Sequence, residues 1–156
     1  MKKEQPSQNQ IKYLFKCFHS GQFSDSEKLA LSMIHEYPRC QFAWKVLGAV
    51  LGQLGRNSEA VNSHKKAVEL SPQDAEAHCN LGISLQVINK LKEAEISYNN
   101  AISINPNYAE AHYNLANTLL KLGKTEKALS EYCEAIKYRP NYTEAFINFG
   151  TIIKNV

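Results

Sequence analysis

Large, apolar and small side chains return along this chain at i, i+3, i+4 and i+7. The sets are Trp44-Leu47-Gly48-Leu51, His78-Leu81-Gly82-Leu85, His112-Leu115-Ala116-Leu119 and Phe146-Phe149-Gly150-Ile153. This spacing puts one buried stripe on a helix. A second stripe follows at i, i+4, i+7 and i+8: Ala60-His64-Ala67-Val68, Ala94-Tyr98-Ala101-Ile102 and Ala128-Tyr132-Ala135-Ile136. The two stripes predict a pair of amphipathic helices joined by a tight turn. The step from pair to pair is 34 residues, shared by Pro38, Pro72, Pro106 and Pro140 and by Gly21, Gly55, Asn89 and Gly123. A fixed period of this length marks a stacked repeat.

The punctuation follows from backbone chemistry. Gly21, Gly55 and Gly123 stand where a first helix must stop, and Asn89 replaces glycine there. Both residue types tolerate the left-handed conformation that ends a helix. The prolines follow each second helix and prevent its continuation. Gly48, Gly82, Ala116 and Gly150 lie inside a first helix, where glycine costs about 1 kcal/mol relative to alanine. A recurring cost implies a recurring need, namely close approach of the partner helix. Ser7 with Gln10 offers a capping box for the first helix.

A 34-residue unit with a large residue, Leu, a small residue, an Ala-aromatic-Ala stripe and a closing Pro resembles the tetratricopeptide repeat (TPR). The expected divisions are a tail over 1–6, a divergent unit over 7–40, units over 41–74, 75–108 and 109–142, and a first helix over 143–156 that begins a partial fifth unit or caps the stack. In the first unit Ser26 and Ala30 stand where Ala and an aromatic are usual, and His64 departs in the second. The resemblance implies an all-α fold: a right-handed α-solenoid of stacked antiparallel helix hairpins, with first helices lining an inner groove. The Asn ladder described next is similar to that of the helical arm of O-linked N-acetylglucosamine transferase and of like bacterial multi-domain proteins.

Asn80 lies two residues past His78, about 200° around the helix, so it points away from the core stripe. The same phase places Phe15, Lys45, Ile83, Val87, Tyr113, Asn114, Asn117, Lys121 and Asn148 on the groove, with Phe18, Leu120 and Asn155. Asn80, Asn114 and Asn148 recur at one position, and an Asn side chain carries one acceptor and two donors. Three such residues can pair with the N–H and C=O groups of an extended peptide, or simply be solvated. If they are solvated, replacement by Ala leaves stability nearly unchanged. A second mode known in the family clamps a C-terminal carboxylate. Here Lys45 and Asn80 match two of its places, whereas Ala49, Glu110 and Asn114 do not.

Composition narrows the function. The net charge is +3 over 156 residues, too small to point to nucleic acid. The uncharged stretch from Val46 to Gly55 falls short of the roughly 18 residues a membrane span needs, and the polar start shows no secretory signal. Cys17, Cys40, Cys79 and Cys133 lack zinc-site spacing, so no metal is expected, and a reducing, cytoplasmic setting fits them. His78 and His112 share a packing position with Trp44 and Phe146, and no phosphate loop or paired-His motif appears. Glu76, Glu110 and Glu144 suit the positive ends of their helices. The expectation is a non-enzymatic scaffold with a protein or peptide partner and no cofactor. Two alternatives stay open. One is the recruiting arm of a larger glycosyltransferase, sulfotransferase or methyltransferase, because Phe146, Phe149 and Ile153 look core-like while Ile147 and Ile152 look outward, as in a fragment. The other is a homodimer stacked through that uncapped end.

Overall fold

The computed structural model describes residues 5–154. Residues 1–4 of the expected tail and the expected groove residue Asn155 lie outside that range. Among the described residues the chain forms α1 (Gln8–His19), α2 (Phe23–Glu36), α3 (Gln41–Gln53), α4 (Asn57–Leu70), α5 (Ala75–Val87), α6 (Leu91–Ile104), α7 (Ala109–Lys121), α8 (Thr125–Tyr138) and α9 (Thr143–Lys154). Helices α3, α5, α7 and α9 start 34 residues apart, as do α2, α4, α6 and α8. The fold is an all-α solenoid in which each helix packs on its neighbours in sequence. The chain turns through φ 74° at Gly55 and φ 60° at Asn89, where each first helix ends. Ser7 and Gln10 form the capping box of α1.

The small residues of the first helices have a specific task. A Cβ built on Gly82 would lie 2.6 Å from Tyr98 Cε1, and one on Gly48 would lie 2.5 Å from His64 Cδ2. A ring on the second helix therefore rests on bare backbone of the first. The phenols are satisfied as well as packed: Tyr98 donates to Gln86 Oε1 at 3.0 Å and Tyr132 to Asn117 Oδ1 at 2.5 Å. The first pair reverses the arrangement. Leu14 holds the place of Gly48, Ala30 holds the place of His64, and both are buried. Two departures from the repeat pattern thus compensate for each other in volume.

A second recurring contact fixes each pair to the turn before it. Trp44 Nε1 donates to Pro38 O at 3.0 Å, and the Nε2 atoms of His78 and His112 lie 2.9 Å from Pro72 O and Pro106 O. A ring N–H at this position ties down the carbonyl six residues earlier. Phe146 has no such donor.

Helix α9 corrects two expectations. Ile152 packs against the core together with Phe149, whereas Phe146 and Ile153 are exposed. Ala145 is buried where α9 rests on the preceding pair. Among the described residues no helix lies upon the α9 stripe that corresponds to the one receiving α8 in α7, and nothing lies within 4 Å of a Cβ built on Gly150.

The core divides in α4. Leu14 to Ala60 form one cluster and Val61 to Ala145 another. Buried His64 sits at this division, with Nδ1 2.8 Å from Ser84 Oγ and Nε2 unpartnered. Burial pushes its pKa down to about 4. For His112 burial also acts downward, but the Glu131 carboxylate at 2.7 Å outweighs it and the net direction is up.

This packing can be tested in two ways. Gly48→Ala is expected to lower stability by about 1–3 kcal/mol through overpacking, read from urea midpoints. Gly150→Ala, with open space around it, should be neutral or stabilising by up to about 1 kcal/mol. An equal loss in both would mean that the ring contact is not the cause. The second test concerns pH. Unfolded His64 takes up a proton near pH 6.5, and the folded protein resists until about 4. Its contribution is therefore whole above pH 6.5 and falls as pH drops to about 4, by roughly 3 kcal/mol in all. His112 works in the opposite sense: its contribution is whole below its unfolded pKa and is lost as pH rises through its higher folded value. In His64→Tyr, which copies the next two pairs, urea midpoints at pH 7 and 4.5 should draw together. An unchanged gap would place the acid sensitivity elsewhere.

Candidate functional site

The first helices face one another along the stack: α1 touches α3, α3 touches α5 and α5 touches α7, while successive second helices stay further apart. The solenoid therefore curves toward its first helices, and these line the concave face. Its floor changes character along the chain. Phe15, Ala49 and Ile83 occupy one repeat position, and Asn117 and Thr151 continue it. Phe15 is 51% exposed, Ile83 37% and Val87 59%. Phe18, Tyr113 and Leu120 are instead packed against the core clusters and partly buried. Lys121 is exposed at the far rim, at the end of α7.

The three repeated asparagines do not share one environment. Asn80 is half-buried and makes no side-chain hydrogen bond among the described residues. Asn114 lies against the Cys79 thiol. Asn148 Nδ2 donates to Tyr113 OH at 3.3 Å and to Asn117 Oδ1 at 3.2 Å. Asn117 Oδ1 already accepts from Tyr132, so these four side chains form one network joining α7, α8 and α9. Asn148 is thus not simply solvated: its partners lie on a different helix.

Charges along the groove are distributed unevenly. Lys45 Nζ bonds Asp74 Oδ2 at 3.2 Å and also Glu76, so it is committed within the chain. Asp74 is held below its ordinary value: burial acts upward, but its bonds from Gln41, Ala77 and Lys45 outweigh it. Glu110 and Glu144 have no ion pair among the described residues. Burial pushes the Cys79 thiol up to about 12, with Glu110 adding to it. Such a thiol supplies no thiolate at neutral pH. Among the described residues no group of three His, Cys, Asp or Glu side chains could hold a metal ion, and no helix is long and apolar enough to cross a membrane.

Family models described as tetratricopeptide repeat match residues 75–108 and 97–130, and one described as TPR repeat matches 48–86. This chain is a TPR protein. No curated protein sequence matches it. Among solved structures, MamA superposes with a TM-score of 0.83 at 26% identity, covering 90% of this chain and 82% of MamA. A thermophilic TPR protein of Thermus thermophilus gives 0.79 at 18% identity, covering 92% of this chain and 79% of its own. The first TPR of Spaghetti (RPAP3), solved bound to the HSP90 peptide SRMEEVD, gives 0.72 at 23% identity, covering 74% and 91%.

Side chains that the sequence did not single out also take part in the contacts beside these residues of the TPR fold. Tyr108 and Tyr142 recur just before α7 and α9, and the Tyr142 ring lies 4.8 Å from that of Tyr113. Their 34-residue spacing was the available signal. Gln86 accepts from both Tyr98 and Thr118, at 3.0 and 3.2 Å.

Asn148→Ala is expected to lower stability by about 1 kcal/mol, because it removes the two hydrogen bonds that tie α9 to Tyr113 and Asn117 of α7. Asn80→Ala should be neutral or slightly stabilising, because Ala is the better helix former. Paired thermal melts test this, and equal effects would show that the Asn148 network carries no stability.

Proposed function

We propose that this chain is a non-catalytic interaction scaffold that holds an extended peptide segment of a protein partner in its concave groove. The carrying observation is half-buried Asn80, whose side-chain amide makes no hydrogen bond among the described residues, beside exposed Ile83 and Val87. A polar group able to bond a peptide N–H and C=O, set next to exposed apolar side chains, is what an extended strand needs: main-chain bonds for affinity and apolar contacts for its side chains. Phe15 extends the apolar floor toward α1. Asn114 is the second rung, and Asn148 with Asn117 closes the far end as a braced wall.

The polar rings of the repeat support a structural role. His78 and His112 each spend Nε2 on a proline carbonyl, and His64 is buried and neutral. The RPAP3 repeat domain carries a peptide, so a protein of this architecture can do so.

The test is an array of extended 15-residue peptides probed with the wild type and with an Asn80→Ala/Asn114→Ala variant, which spares the Asn148 network. Peptides captured by the wild type should bind the variant about tenfold more weakly, equivalent to roughly 1.4 kcal/mol. Equal capture by both proteins would remove the asparagines from recognition.

A further inference from the structure

The repeat compares one place in the groove with itself. At the junction of the second and third pairs, the Lys45 ammonium is held by Asp74 at 3.2 Å and by Glu76. One repeat later, the corresponding three positions are Cys79, Tyr108 and Glu110. The cation has been removed and one carboxylate has become a phenol, while the other carboxylate remains. Cys79 is buried near Tyr108, and its thiol, pushed up by burial, offers no charge. Glu110 is left half-buried with no ion pair among the described residues.

Tyr113 follows Glu110 at i+3 on α7, so the two share a face of that helix, and Tyr108 precedes Glu110 by two residues. Burial first pushes up the hydroxyls of both Tyr108 and Tyr142; the Glu110 charge adds to this directly after burial at Tyr142, and after Cys79 at Tyr108. Tyr142 and Tyr113 are neighbours, with centroids 4.8 Å apart. The chain already places one guanidinium here: Arg139 lies over the Tyr142 ring at 4.5 Å. Arg139 makes no ion pair with Glu110 among the described residues. A carboxylate beside aromatic faces attracts a cation through charge and ring quadrupole together.

We propose that Glu110, with Tyr108, Tyr113 and Tyr142, forms a pocket for one basic side chain, arginine or lysine, of the bound peptide. This deepens the groove reading above and rests on it. The peptide's cation takes the place that Lys45 fills from within one repeat earlier. An acidic tail is correspondingly disfavoured on this part of the groove.

Two fluorescein-labelled peptides test the pocket: Ac-Ser-Ala-Gly-Ala-Arg-Ala-Gly-Ala-Ser-amide, and the same peptide with citrulline, the neutral isostere, in place of arginine. Binding is read by anisotropy at 50 mM and 500 mM NaCl. The arginine peptide should bind about tenfold tighter at low salt, and the preference should shrink at high salt and nearly vanish in Glu110→Gln. Glu76→Gln, whose carboxylate Lys45 already neutralises, should leave the preference in place. Equal binding of the two peptides to the wild type overturns the pocket and leaves the groove reading standing. A preference that survives Glu110→Gln, or that Glu76→Gln also abolishes, overturns it too. Binding of neither peptide overturns the groove reading and the pocket with it.

Discussion

In the second and third pairs the distance between the two helices is set by a ring pressed onto backbone. Tyr98 against Gly82 and His64 against Gly48 leave no room for a Cβ. Close-packed interiors transmit such a constraint outward. With one face of the first helix fixed against its partner, the opposite face is fixed too. That opposite face is the concave floor. The spacing of Asn80, Ile83 and Val87 is therefore a consequence of packing at Gly82, on the far side of the same helix.

The hydrogen bonds of the buried rings reinforce this geometry. Each phenol that enters a notch reaches a side chain on the first helix, Gln86 or Asn117. Asn117 then braces Asn148 on the following pair. One end of the groove is thereby stiffened by a chain of polar contacts, and the middle, around Asn80, keeps its amide unspent. In the proposed peptide-holding role, stiff walls beside an unsatisfied rung reduce the ordering that binding requires.

Most of the fold was legible because its signals are local or periodic. Pro72 and Pro106, Gly55 and Asn89, and the two helical stripes each act within a few residues, and repetition multiplied them. The groove was legible as a face, from phase alone. What escaped depends on which side chains meet across helices. Nothing near Asn148 in sequence announces Tyr113 or Asn117. The outward turn of Phe146 and Ile153 depends on what lies over α9, not on their hydropathy. Glu110 reads as an ordinary first-turn acid until the loss of the Lys45 counterpart at Cys79 is seen in space. Ser26 and Ala30 registered as divergence in the first unit, and only the packing shows that Ala30 and Leu14 are two halves of one exchange.

That exchange bears on how such a chain can be shuffled by recombination. Crossovers near Pro38, Pro72 or Pro106 move a helix together with its mate, so each large residue keeps its small counterpart. A crossover inside a pair separates them. It would set Leu14 against an imidazole or a phenol, with no space for both, or set Gly48 against Ala30 and leave a hole. The inheritable module is thus the hairpin as a whole, and its natural joints are the short loops between hairpins.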